Sequence, residues 1–152
     1  MNNELILIIS LIGTYSAVLI WFTLFGEKGL FCFSVVATIT ANIEALILIN
    51  AYGMEQTLGN ILFGATFLIT DILSEVKGKK TSQKAVNMSM FALVCFILLS
   101  QSWFLYNPSE NDTLFSSISA VFSNTPRIMI TSLIVYFISQ RFDVWAYHKW
   151  WN

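Results

Sequence analysis

The sequence predicts an all-α, polytopic membrane helix bundle of about five spans, on three observations. Apolar residues make up 56% of the 152 and aromatics 15%, while charged residues make up only 11%, roughly half the share of an ordinary soluble domain. Apolar runs of about 20 residues, the length that crosses a hydrocarbon core of about 30 Å, recur between short polar connections. Four lysines (Lys77, Lys79, Lys80, Lys84) gather in one connection, while the connections on either side of it carry none. That asymmetry predicts a cytoplasmic 77–84 loop, an external N-terminus and a cytoplasmic C-terminal end with Arg141 and Lys149. The length is that of one domain, and a net charge of −1 without a basic stripe excludes nucleic acid as a partner.

In order along the chain, residues 5–25 read as the first span. The start, Met1-Asn-Asn-Glu4, lacks the basic region of a signal peptide, so this span is expected to be retained. Asn2 in place of a glycine excludes N-myristoylation. Gly26-Glu-Lys-Gly29 is a tight connection, and 30–51 is the second span. There Thr38 and Asn42 share one face and Thr40 and Glu44 another, which places Glu44 near mid-depth. A charge at the bilayer centre costs about 2.5–3.5 kcal/mol on insertion scales, so such residues face a bundle interior or a wet cavity.

Residues 52–58 read as a loop, and the third span lies in the stretch 59–80, which ends on lysines. Wound as a helix, it places Asn60, Gly64, Phe67, Asp71, Ser74, Glu75 and Gly78 within roughly 60° of one line. Asp71 and Glu75 have two readings: an interfacial pair neutralised by the lysines that follow, or carboxylates facing a polar cavity. The fourth span begins at Gln83 or Lys84 and ends at Tyr106, followed by an acidic, turn-rich loop, 107–113, and a short helical piece, 114–124. Thr125 reads as an N-cap and Pro126 as a first-turn residue of the fifth span, which runs from Arg127 to about Tyr147. Ser132, Tyr136, Ser139 and Asp143 form a stripe on it within roughly 60°, with Gln140 at its margin. Arg127 projects away from that stripe and either snorkels to headgroups, pairs with Glu44 or grips an acceptor-rich substrate. Trp145, Tyr147, Trp150 and Trp151 form an interfacial aromatic belt.

Cys32 and Cys95 lie in apolar segments and read as core residues, and a single histidine, His148, leaves no metal-ligand set. No cofactor is expected. An intramembrane enzyme would need two acids sharing a proton, such as Asp71 with Asp143 or Glu44, and no Ser/His pairing is present. The chain is therefore expected not to be an enzyme.

Several blocks together resemble one family. Ala41-Asn-Ile43, Leu58-Gly-Asn60, Thr70-Asp-Ile-Leu-Ser-Glu75 with Gly78-Lys-Lys80, and Thr125-Pro-Arg-Ile128 fall in the family's order. So do Ser132-Leu-Ile134, Ile138-Ser-Gln140 and Asp143-Val144, and the set resembles the vitamin-uptake transporters, whose members include queuosine-precursor transporters. The resemblance covers nearly the whole chain, and the block from Thr70 to Glu75 is its most specific signal. It implies one transporter domain over 1–152, in a bacterial cell (inner) membrane, importing purine-like 7-deazaguanine bases for tRNA modification. It also implies a bundle like the substrate-binding component of energy-coupling-factor transporters, apparently without the family's C-terminal helices. The implied substrate-binding residues are Asn42, Glu44, Asn60, Asp71, Glu75, Arg127, Ser132, Gln140 and Asp143. Among them Asn42, Glu44, Asp71 and Glu75 would accept the ring's donors and Arg127 or Gln140 would meet its carbonyl, with Phe67, Tyr136 or a nearby tryptophan stacking on its face. Two sources of energy fit, a separate ATPase partner or a proton carried by Asp71 or Glu75. The other reading is a substrate-binding subunit for a different vitamin-like molecule.

Overall fold

The computed structural model describes residues 2–109, 111–122 and 125–150, with the side chains of Thr125, Pro126 and Ile128 outside the described set. The elements are α1 (Asn3–Glu44), β1 (Leu48–Ala51), β2 (Met54–Thr57), α2 (Asn60–Lys77), α3 (Lys79–Ser102), a 3-10 turn (Trp103–Leu105), α4 (Phe115–Phe122) and α5 (Thr125–Trp150). The predicted all-α class holds, with one small hairpin added.

A straight helix of 42 residues would be about 63 Å long. Yet the Asn3 amide donates to the Asn50 carbonyl at 2.9 Å, and the Tyr52 N–H donates to Glu4 at 3.1 Å. The chain therefore folds back within α1, and Gly26 is where it does so: φ 61 and ψ −146 interrupt the helical backbone. Glycine adopts that region without a Cβ clash. The two arms, 3–25 and 27–44, close tightly next to the bend, where a Cβ on Gly29 would stand 2.7 Å from the Trp21 carbonyl oxygen. Trp21 meets Phe33 across the arms at 5.8 Å between ring centroids. The tight connection predicted at 26–29 is thus present.

The second span is shorter than predicted. It ends at Glu44, and 48–57 form an antiparallel hairpin pairing Leu48 with Thr57 and Ala51 with Met54. Tyr52 and Gly53 both take positive φ (54° and 73°), as a two-residue turn whose twist matches the strands requires. Glu44 is consequently a helix-end residue, not a mid-depth one. An isolated hairpin is marginal in water, and here its turn is fastened to the start of α1 by Asn3 and Glu4.

Gly59 opens α2 with its backbone so close to α1 that a Cβ would collide with the Ala41 carbonyl oxygen. One residue, Gly78 at φ 83, separates α2 from α3. The lysine segment read as a loop is therefore mostly the first turns of α3, which starts at Lys79 and not at Gln83 or Lys84. Helix α4 falls where the short piece was expected, and α5 begins at Thr125. The cap read at Thr125 and the belt residue Trp151 lie outside the described side chains.

Helices α2 and α5 run parallel: Phe63 meets Tyr136, Thr66 meets Gln140, Thr70 meets Asp143 and Glu75 meets Tyr147. One apolar cluster joins α1, α2 and α3 around Val18, Leu30, Ala65, Ile69, Leu73 and Ala85, and another joins α3 and α5 around Leu93, Ile97 and Met129. Outward faces are apolar instead, with Ile12, Leu24, Phe91, Leu98, Ile138 and Phe142 all more than half exposed. Among the described residues two segments, Asn3–Glu44 and Lys79–Leu105, are long and apolar enough to cross a membrane. Large apolar side chains turned outwards, with polar ones turned in, belong to a protein solvated by lipid.

Candidate functional site

The interior is polar along one line. Thr66, Thr70 and Ser74 recur every four residues on α2, as do Ser34, Thr38 and Asn42 on α1, and all six are buried. Four-residue spacing stacks side chains on one helix face. In lipid these groups have no water to bond, so they turn inwards and pair across helices. The Ser34 and Ser89 hydroxyls lie 2.6 Å apart, and Thr38 donates to the Tyr136 hydroxyl at 3.2 Å. The same Tyr136 hydroxyl also interacts with Thr66, Ser89 and Ser34, so one phenol gathers groups from α1, α2 and α3. Gln140, fully buried, donates to Thr66 at 2.8 Å. Ser82 donates to the Thr70 carbonyl at 3.0 Å, tying α3 to α2.

Beside this column lies a groove of ≈ 320 Å³ between α2 and α5. Phe63 and Phe67 form one wall; Thr131, Ser132, Val135, Tyr136 and Ser139 form the other. Phe63 and Tyr136 approach with centroids 6.0 Å apart and planes at 45°. Aromatic faces flanked by hydroxyls suit a flat heterocycle: the rings take its face, and hydroxyls donate to or accept from its edge. The Tyr136 ring is in the groove while its hydroxyl is locked in the column, so the groove wall is held from behind.

At the lysine end of the two helices the groups become acidic. Asp71 and Asp143 are half-buried and close enough that the charge of Asp143 bears on Asp71. Thr70 has one hydroxyl proton and four acceptors around it: the Phe67 carbonyl at 2.8 Å, the Thr66 carbonyl and Gln140 Oε1 each at 3.3 Å, and Asp143 Oδ2 at 3.4 Å. Glu75 is exposed and accepts from the Tyr147 hydroxyl. All the chain's lysines and arginines except Arg127 lie towards this end. Lys77 pairs with Glu27 at 3.5 Å, Lys84 lies over Phe31, Arg141 donates to Asn87 at 3.0 Å and Lys149 lies over Trp145.

Of the residues expected to bind substrate, Ser132 lines the groove, and Asp71, Gln140 and Asp143 cluster just beyond it. Gln140 is held by threonines at both ends of its amide, which makes it a brace for the site. Asn42 is buried and donates to the Thr38 carbonyl at 2.8 Å, while its own Oδ1 has no partner. It does not line the groove. Glu44 and Asn60 stand at the opposite end, at the close of α1 and the start of α2, where Asn60 accepts from Thr57 at 3.0 Å. Arg127 is exposed at the start of α5, and among the described residues it makes no ion pair with Glu44. The snorkelling alternative fits that position. Cys32 is exposed and Cys95 partly so, and neither is in a disulfide, so Cys32 faces outwards and is not a core residue. Among the described residues no group of three or more His, Cys, Asp or Glu side chains could hold a metal.

Phe63, Thr131 and Val135 were not singled out from the sequence. They become neighbours only when α2 and α5 pack side by side, and an apolar or hydroxyl residue in a span carries no signal of that. The buried Ser34–Thr38–Asn42 and Thr66–Thr70–Ser74 rows did carry one, in their four-residue repeat.

A family profile described as "Putative vitamin uptake transporter" matches residues 57–152, from the end of β2 through both walls of the groove. A curated protein of Bacillus subtilis (strain 168), described as "Probable queuosine precursor transporter", is 30% identical over 146 residues, or 96% of this chain. The chain spans 63% of that relative's length. No solved structure matches it.

Proposed function

Because the chain belongs to the vitamin uptake transporter family, we propose that it imports queuosine precursors, planar 7-deazaguanine bases, through the α2–α5 groove. The observation that carries this reading is the groove itself, an aromatic slot edged by hydroxyls and backed by a hydrogen-bonded column inside a lipid-facing bundle. A base would lie between Phe63, Phe67 and Tyr136, with Ser132, Ser139 and Thr131 at its edge. Site hydroxyls and amides that bond a substrate edge also reject analogues lacking that edge, by leaving polar groups unpaired.

The membrane arrangement we infer has five crossings: the two arms of α1, then α2, α3 and α5. Helix α2, with 18 residues, is about 27 Å long and α5, with 26, about 39 Å, near or above the core thickness of about 30 Å. The Gly26 bend, the α2–α3 turn and the end of α5 share the basic end, which the positive-inside rule puts at the cytoplasm. The hairpin, residues 107–109 and 111–113, and Arg127 then face outwards. No phosphate-binding Gly-x-x-x-x-Gly-Lys loop occurs in these residues. Energy accordingly enters from a separate ATPase or from a gradient, and a pull-down from native membranes separates the two.

The test is queuosine content of tRNA in a bacterium that lacks its own precursor synthesis and uptake and is fed scarce base. The chain should restore it, and Phe67→Ala should lower it at equal expression. Restoration that is indifferent to Phe67→Ala and to a groove-filling Ser139→Trp would reject the site.

A further inference from the structure

We propose that a notch beside the Gly26 bend binds one anionic phospholipid, its phosphate on Lys28 and the start of an acyl chain along Trp21, Phe25 and Cys32. The proposal needs only that α1 lies in a membrane, so it stands or falls apart from the α2–α5 groove. A cavity of ≈ 260 Å³ opens between the two arms of α1, lined by Trp21 and Phe25 from one arm and by Lys28, Gly29 and Cys32 from the other. Trp21 and Phe25 are four residues apart, as are Lys28 and Cys32, so each arm presents one helix face to the cavity. Gly29, where a Cβ would meet the Trp21 carbonyl oxygen, lets the arms close behind it. The Trp21 ring is braced by Phe25 and Phe33, with centroids at 5.5 Å and 5.8 Å, so the apolar wall is held in place.

Charge is unbalanced at this bend. Glu27 is matched by Lys77 at 3.5 Å, whereas the Lys28 ammonium has no ion-pair, hydrogen-bond or ring partner among the described residues. A second cation, Lys84, lies over the ring of Phe31, about one turn along from Lys28. The bend therefore presents a positive charge that no acid of the chain neutralises.

The order of the groups matches a phospholipid. Phe25 and Lys28 flank the bend, while Trp21 and Cys32 lie one turn, about 6 Å, further from it along their arms. A cation at the helix end, above apolar walls deeper in the span, repeats the order of phosphate above chain. Basic side chains beside clefts between spans attract anionic headgroups. Leu24 and Phe25 are more than half exposed here, so the notch opens on the lipid-facing side. A space of that volume is about 6 Å across, room for a hydrocarbon chain but not for a helix about 10–12 Å wide.

The experiment is native mass spectrometry of the full chain in detergent micelles, titrated with phosphatidylglycerol or with phosphatidylcholine of the same acyl chains. The wild type should retain one phosphatidylglycerol with a preference of at least about fivefold, the effect of one lysine on an anionic lipid. Lys28→Gln should bring the two lipids to within about twofold of each other, and Lys28→Arg should keep the preference. Cys32→Trp, which fills the notch from an exposed position, should lower retention of both lipids. Lys80→Gln removes the same charge from an exposed position at the same end of the bundle and should leave the preference unchanged. Equal retention of both lipids by the wild type overturns the site. So does an equal loss in Lys28→Gln and Lys80→Gln, which would mean a diffuse surface charge. Dimers that Cys32→Trp disperses, with no lipid retained, would show a second copy of the chain in the notch and overturn the proposal as well.

Discussion

Two helix interfaces in this molecule are built on opposite principles. Where α1 meets α2, glycines let the helices close up: the Gly59 backbone lies on the Ala41 carbonyl, and a Cβ on Gly64 would come within 3.0 Å of the Tyr15 side-chain hydroxyl. At those two glycines no room is left for a ligand. Where α2 meets α5, large rings hold the helices apart, polar side chains reach across behind them, and a groove of ≈ 320 Å³ remains. Small residues at a contact give adhesion, and large ones braced from behind give a site. Lipid supplies no hydrophobic drive between helices, so both interfaces depend on close packing or on hydrogen bonds.

Breaking the tight interface should have the largest effect. Gly59→Val drives a branched side chain into the α1 backbone, and overpacking of this kind costs about 1–3 kcal/mol. It should lower the thermal unfolding midpoint in detergent clearly, whereas Gly13→Val, in open space on α1, should leave it unchanged. At the groove interface, Gln140→Leu keeps the volume but deletes the bonds to Thr66 and Thr70. The expected loss is about 0.6–1.7 kcal/mol, the range for hydrogen bonds between membrane helices, and base binding should weaken in the same titration. Tyr136→Phe keeps the ring and removes only the hydroxyl from Thr38 and its neighbours. It should cost about 0.6 kcal/mol, with weakened binding as the more sensitive readout because the groove wall loses its brace. Smallest of all, Phe91→Leu on the outward face of α3 should change stability by less than about 0.5 kcal/mol and binding not at all.

The same comparison explains how far the sequence could be read. Helices, their order and the acidic end of α2 were legible, since run length, charge placement and the stripes of Asp71 and Asp143 are local properties. The fold-back at Gly26 was legible too, from two glycines around a charged pair. The hairpin was not: Leu46 to Ala51 is as apolar as the helix before it, and nothing local separates a short apolar strand from a helix end. That misplaced Glu44, which a helix continuing to Ala51 would have carried to mid-depth. The groove escaped as well, because its walls belong to two helices whose parallel pairing is tertiary. Ser132 was found because its stripe is polar; Phe63 and Val135 look like any lipid-facing residue.

The measurement that tests the groove most directly is base binding to Ser139→Trp beside the wild type, in nanodiscs and with melting temperatures recorded. Ser139 lines the groove with Phe67 and Tyr136, so an indole at that position should fill the slot. Wild-type binding, abolished in Ser139→Trp at an unchanged melting temperature, is the predicted result. An unchanged dissociation constant in Ser139→Trp would place the ligand elsewhere in the bundle and contradict the account.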